Sequence, residues 1–171
     1  MTDEASHGFL GEEFLTWLWF RAETSGGELP LGDGKTVGFT IDDLIEFAPL
    51  DEDETQSAVK RGSPTKSAVA RAALKSGRRL RKARLILAVE DRVYSATVDG
   101  PTLSFSSVKL PDDDPDLELA ERSEERAQAF LELESIVDVL YRQFLELRLD
   151  RSFQGGEGER QANWMAGSAR S

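Results

Sequence analysis

The segment from Phe9 to Ala22 predicts a helix that is apolar on nearly every face. Its apolar residues are Phe9, Leu10, Phe14, Leu15, Trp17, Leu18, Trp19 and Phe20. A helix without a polar face has to be covered on all sides by other elements. We therefore expect this helix to anchor the core. The alternative is an exposed aromatic platform, which requires Trp17 or Trp19 at the surface.

The residues that follow predict strands. Alternating apolar residues across Thr36 to Ala48 favour two strands joined by a hairpin turn at Asp42-Asp43. Thr40 could instead cap a short helix in the same segment. A further short strand is expected at Ser57 to Gly62.

The rest of the chain predicts two helices separated by an antiparallel meander. Ser63-Pro64 has the residues that start a helix, and Gly77 is of the type that ends one. The expected strands and turns are Ala83 to Val89, a turn at Asp91-Arg92, Val93 to Val98, a turn at Asp99-Gly100, and Thr102 to Leu110 with a bulge near Ser106-Ser107. A long helix should run from about Leu117 to Leu149. The predicted fold class is α+β, with an antiparallel sheet packed against a buried N-terminal helix and a long C-terminal helix.

We expect a single domain over residues 9–149. The chain has 171 residues, 39 % of them hydrophobic, which suffices for one core. Residues 1–8 are expected to form a disordered leader, and residues 150–171 a disordered tail rich in Gly, Ser, Gln and charge. In that tail only Trp164 is expected to contact the domain.

The residue inventory argues against several classes of protein. No apolar run is long enough for a membrane span, and the polar N-terminus does not resemble a secretory signal, so the expected location is cytoplasmic. The chain lacks cysteine, and its sole histidine is His7, so no disulfide or zinc site is expected. The acidic run from Asp112 to Asp116 lacks the spaced ligands of a calcium loop. We expect no catalytic residue, metal, cofactor or small-molecule substrate.

Ten of the 21 basic residues lie in one acid-free window, Gln56 to Val89, although the formal net charge of the chain is −11. A local positive potential attracts polyanions even where the total charge repels them. The amides and hydroxyls at the expected helix start would add phosphate ligands. The candidate DNA-binding residues are Lys60, Arg61, Ser63, Thr65, Lys66, Arg71, Lys75, Arg78, Arg79, Arg81, Lys82 and Arg84.

Two other interpretations of the window remain open. The cations just past the helix C-terminus could offset the negative end of its dipole. They could also pair with carboxylates of this same chain. Nothing in the window resembles base-edge readout, so any binding to DNA would have little sequence preference.

The long helix carries a second candidate surface, an apolar stripe for a partner or a second copy of the chain. The stripe steps by three and four residues through Phe130, Leu133, Val137, Leu140, Phe144 and Leu147. Such a stripe can form a coiled coil. Leu131, Ile136 and Val139 widen it, which favours packing on the protein's own sheet.

The order of these features resembles the C-terminal half of the recombination-associated RdgC family, over about residues 9–149. The segments that carry the resemblance are Phe14-Leu15-Thr16-Trp17-Leu18-Trp19-Phe20-Arg21, the Ser63-Pro64 helix start, the Asp99-Gly100 turn, Ser106-Ser107-Val108-Lys109-Leu110-Pro111, and Phe144-Leu145-Glu146-Leu147-Arg148. Members of that family carry a further N-terminal region. In this chain the part that matches the family begins within ten residues of Met1.

The resemblance implies a nucleoid-associated protein that binds double-stranded DNA with little sequence preference. It also implies a dimer closed into a ring with a positive inner face, and a role in restraining recombinase loading without an enzymatic step. The first hypothesis is therefore a noncatalytic DNA-associated protein that modulates recombination. The second is a protein-interaction or assembly module that uses the long C-terminal helix without contacting DNA.

Overall fold

The computed structural model describes residues 3–48, 57–60, 68–111 and 114–167. Its elements are α1 (Asp3–Thr24), β1 (Glu28–Gly32), β2 (Lys35–Phe47), β3 (Ser57–Lys60), α2 (Ala68–Lys75), β4 (Leu80–Val89), β5 (Arg92–Asp99), β6 (Phe105–Lys109), α3 (Leu119–Leu149) and α4 (Glu157–Met165). The predicted α+β class is confirmed. None of the helices in these ranges is long and apolar enough to cross a bilayer.

The six strands form one antiparallel sheet in the order β1-β2-β4-β5-β6, and β3 also pairs with β2. β4 pairs with β2 from Gly38 to Phe47 along one side of that strand. β1 and β3 therefore share the other side, where β1 pairs with the beginning of β2 and β3 with its end. The result places β2 and β4 at the middle of the sheet, beneath α1.

The apolar helix α1 is buried as predicted, because it lies between the sheet and the two C-terminal helices. Trp17 and Trp19 are both 0 % exposed, so the aromatic-platform alternative is wrong. Phe144 of α3 packs against the Trp17 ring at 5.6 Å, and Trp164 of α4 packs against the Trp19 ring at 5.4 Å. The sheet and these two rings together cover a helix that has no polar face.

The extended structure predicted across Thr36 to Ala48 is present as β2, but the hairpin turn predicted within it and the alternative helix are wrong. Asp42-Asp43 does not form a turn, because β2 continues through it with a register shift between Ile41 and Ile45. The short helix capped by Thr40 is also absent, since Thr40 lies within β2. β1 was not predicted at all. It joins β2 through Asp33-Gly34, whose φ angles of 53° and 76° are those of a tight hairpin turn.

The predicted meander of β4, β5 and β6 is confirmed, with two adjustments. The first turn lies at Glu90-Asp91, one residue earlier than expected, and Glu90 has a φ of 56°. The predicted bulge in the last strand is present, because Ser107 has a φ of 50° and the β5–β6 register shifts beside it. β6 is consequently an irregular strand at one edge of the sheet.

The ends of the chain differ from the prediction. α1 begins at Asp3, so the expected disordered leader is wrong for residues 3–8. The expected disordered tail is wrong for residues 157–165, which form α4. Within α4, Trp164 is buried, which confirms its predicted contact with the domain.

Candidate nucleic-acid interface

The basic window contributes one exposed helix, α2. Ala70, Ala73 and Leu74 face the core, and the opposite face is exposed. Gly77, with a φ of 86°, ends the helix as predicted, and the amides of Gly77 and Arg78 bond the carbonyls of Leu74 and Ala73 in a Schellman arrangement. The predicted helix start at Ser63-Pro64 lies outside the described residues.

Arg71 and Lys75 stand one turn apart on the exposed side of α2. Residues at this spacing share a helix face. The side chains around them are small, since Ala68 and Ala72 are exposed beside them, and the helix has no acidic residue. We call Ala68, Arg71, Ala72 and Lys75 the α2 face.

Arg71 already has a carboxylate partner within the chain. Its Nη2 donates to both carboxylate oxygens of Glu23, at 3.0 and 3.1 Å. The Glu23 carboxylate also accepts from the indole nitrogens of Trp19 and Trp164, so α1 and α4 hold it in place. The Arg71 side chain remains 44 % exposed, and ion pairs at such surface positions contribute little to stability.

Arg79 lies against the other end of α1. Its Nε is 3.5 Å from a Glu12 carboxylate oxygen, and its guanidinium stands over the Phe9 ring at 3.8 Å from the centroid. Burial raises the pKa of Glu12, and the charges of Arg79 and Arg81 act in the opposite direction. Arg79 therefore compensates a half-buried carboxylate and is held by it.

Arg84 points to the face of the sheet opposite α1. Its Nε lies 3.3 Å from Asp42 and 4.0 Å from Asp43, and its side chain is only 16 % exposed. The irregular part of β2 brings these two carboxylates to Arg84. Lys82, two residues earlier on that face, lies directly between Glu46 of β2 and Asp99 of β5 in the register.

The cations of the window therefore do not share one surface in the described part of the chain. Glu12 and Glu23, which hold Arg79 and Arg71, are separated by about 16 Å along α1 at 1.5 Å per residue, and Arg84 lies across the sheet. The alternative in which the cations pair with the protein's own carboxylates is confirmed for Arg71, Arg79 and Arg84.

The remaining candidates of the window occupy various places. Lys60 ends β3, where its backbone pairs with Leu44, and Arg81 lies at the start of β4, where its carbonyl accepts from the Gly100 amide. Arg78 follows Gly77 and is partly buried. Four candidates lie outside the described residues: Arg61, Ser63, Thr65 and Lys66.

Most of the apolar stripe of α3 is buried against other elements of the same chain. Leu133, Val137, Leu140 and Phe144 are buried in the core, and Phe130 packs edge-on against Phe105 of β6. Leu147, at the end of the stripe, is 39 % exposed. Packing on the protein's own fold is therefore confirmed, and the four central residues cannot also form a coiled coil in this fold.

Sequence reasoning missed a buried carboxylate, Glu157, at the start of α4. It accepts from the Trp17 indole at 3.2 Å, from Arg21 at 3.3 Å and from Arg160 at 2.5 Å. Burial raises the pKa of Glu157. The Arg160 hydrogen bond, the Arg21 charge and the Trp17 hydrogen bond outweigh that effect, so the pKa lies below its usual value. These hydrogen bonds attach α4 to α1. In the sequence, Trp164 was the only residue that indicated a contact between this segment and the rest of the domain.

No cluster of three metal-ligating side chains occurs among the residues that the structure describes. No family model, curated protein or solved structure matches this chain.

Proposed function

We propose that this chain is a noncatalytic DNA-associated protein, as the likeness to the RdgC family implies, and that the α2 face contacts duplex DNA. The observation that carries the proposal is the pair Arg71 and Lys75, one turn apart on an exposed helix without acidic residues. The small side chains of Ala68 and Ala72 leave room for a phosphate backbone to approach both cations. Such contacts carry affinity without reading sequence.

The contact set is smaller than the sequence predicts. Arg79 compensates Glu12, whose side chain is only 16 % exposed, so a phosphate bound there would leave that carboxylate unpaired, and the Arg84 side chain is itself only 16 % exposed. Arg71 differs because its own side chain is 44 % exposed, and because Glu23 would keep its hydrogen bonds from Trp19 and Trp164 if a phosphate took its place. With two to four contacts, log K should fall with log salt at a slope of about −2 to −4.

The experiment is a fluorescence anisotropy titration of a labelled duplex of about 30 base pairs, starting at about 50 mM salt. The test variant reverses two charges of the α2 face, Arg71→Glu with Lys75→Glu. The matched control reverses two exposed arginines elsewhere, Arg142→Glu with Arg151→Glu, and changes the net charge equally.

We expect the α2 variant to bind at least about tenfold more weakly than the wild type, and the control to lose much less. Equal losses in both variants would show that only total charge matters. Absence of binding by the wild type at about 50 mM salt would refute DNA association outright.

Modulation of recombination and a dimeric state belong to the same proposal. A dimer is tested by sedimentation equilibrium, in which a monomer would have the chain mass of 19.0 kDa. A second candidate function, a protein-interaction module, was predicted from the apolar stripe of α3. The burial of Leu133, Val137, Leu140 and Phe144 removes support for that version.

A further inference from the structure

An open groove lies at the end of the sheet opposite α2. It has a volume of about 830 Å³ and lies between the β4–β5 turn, the residues after β6 and the first half of α3. Its apolar lining comes from Val93, which is 53 % exposed, and from Leu110, Pro111 and Ala129. β4 runs between the two ends, from Leu80 after α2 to Val89 before the groove, about 30 Å away at the rise of a strand.

The rim of this groove is acidic. Asp91, Asp114 and Glu125 line it, and Arg92, the one cation among the described residues of the lining, pairs with Glu132 at 2.9 Å. Glu132 also accepts a hydrogen bond from the hydroxyl of Tyr94, which attaches the α3 wall of the groove to β5. The charge that the groove presents to a ligand is therefore negative.

A smaller cleft of about 380 Å³ continues the surface along α3. It is lined by Leu117, Glu121, Glu124, Glu125 and Gln128. Glu125 and Gln128 belong to both clefts, so they form one surface. We call it the acidic groove. It combines five carboxylates with the exposed apolar side chain of Val93 and the partly buried side chain of Leu117.

The helical wall of the acidic groove projects beyond the core. Residues 119–128 of α3 are exposed apart from a partly buried Arg122, and the buried face of α3 begins only at Ala129. The projecting turns are nonetheless held at their start. Glu118 and Glu121 form a reciprocal capping box, and Arg122 donates to the carbonyl of Pro115. These turns are exposed, so Glu121, Glu124 and Glu125 face solvent.

We propose that the acidic groove docks a cationic amphipathic segment of a partner protein. Charge complementarity selects the occupant, because five carboxylates face it and the lining cation is already paired. The apolar lining selects a segment that also carries leucine-like side chains rather than a uniformly charged one. The proposal does not depend on DNA binding, since α2 lies at the other end of the sheet.

The test uses a short fluorescein-labelled peptide of Lys and Leu at helical spacing, and a second peptide of equal charge in which Ser replaces Leu. Binding is measured by anisotropy at about 0.15 M ionic strength, where surface charges are largely screened beyond about 8 Å. The test variant is Glu124→Lys with Glu125→Lys. The matched control is Glu146→Lys with Glu159→Lys, which reverses two exposed acids outside the groove.

We expect the groove variant to bind the Lys-Leu peptide at least about tenfold more weakly, and the control to stay within about twofold of the wild type. The Arg71→Glu, Lys75→Glu variant should bind the peptide as well as the wild type, which separates this result from any failure of DNA binding. Equal losses in the groove and control variants would overturn the proposal. Equal affinity for the Lys-Leu and Lys-Ser peptides would do so as well, because the apolar lining would then select nothing.

Discussion

The Trp164 indole packs edge-on against the Trp19 indole, with ring centroids 5.4 Å apart and an interplanar angle of 82°. Its nitrogen donates to Glu23 at 2.8 Å, and its exposed fraction is only 5 %. Through this side chain α4 covers the Trp19 and Phe20 rings of α1, while Phe144 of α3 packs on Trp17. The C-terminal residues therefore complete the core.

We expect Trp164→Ala to lower the free energy of unfolding by about 3–5 kcal/mol, because it removes a buried aromatic ring. Trp164→Phe keeps one aromatic ring and loses the hydrogen bond to Glu23 together with part of the buried volume, so it should cost less. Urea unfolding followed by circular dichroism measures both. A loss below about 0.5 kcal/mol for the alanine variant would mean that α4 does not stabilise the core.

Glu157 predicts a loss of stability at acid pH. Its pKa is lowered in the folded state, so its contribution is complete above its usual value of 4.5 and disappears as the pH falls through the lowered pKa. Glu157→Gln should therefore destabilise the protein at pH 7 by about 1–3 kcal/mol. The difference from the wild type should shrink in urea unfolding series carried below pH 4.5. A difference that stays constant with pH would contradict this assignment.

The tyrosines predict the opposite pH dependence. Burial, followed by the hydrogen bond to Glu132, raises the pKa of Tyr94 to about 12, and burial also raises the pKa of Tyr141. Both favour the neutral phenol in the folded state, so stability should fall as the pH rises above 10.0. These are the chain's two tyrosines, so ionisation of the phenols in the folded protein should be less than half complete at pH 10. Half-complete ionisation at pH 10 without unfolding would refute the prediction.

Gly11 predicts an exception to helix propensity. Alanine normally stabilises a helix interior by about 1 kcal/mol over glycine. At Gly11 a Cβ would stand 1.7 Å from the carbonyl oxygen of Gly100, where α1 contacts the β5–β6 turn. We expect Gly11→Ala to destabilise the protein by about 1–3 kcal/mol in thermal or urea unfolding. Gly155→Ala, with open space around it, serves as the control.

The elements that sequence reasoning found are those whose pattern is local. The pattern of apolar residues within the element shows which residues are buried in three cases: the all-round apolar α1, the alternating strands of the meander and the stripe of α3. β1 was missed because it is short and contains Pro30, which is tolerated only because β1 lies at the edge of the sheet. α4 was missed because Trp164 and Glu157 attach it to residues of α1 that are far away in the sequence.

The candidate site could be predicted only in part, for the same reason. The surplus of cations and the shared face of Arg71 and Lys75 follow from spacing. The pairing of Arg79 with Glu12, and of Arg84 with Asp42, depends on how distant segments meet. Charge counts along a chain do not contain that information.

The irregular edge strand β6 has a consequence for how copies of this protein can meet. Its backbone departs from regular geometry at Ser107, its exposed Lys109 adds a charge, and Pro111 follows shortly after. This edge does not offer an unbroken row of backbone amides and carbonyls with which a strand of another molecule could form hydrogen bonds. The addition of a strand from a second copy at this border is thus disfavoured, and with it growth into fibrils.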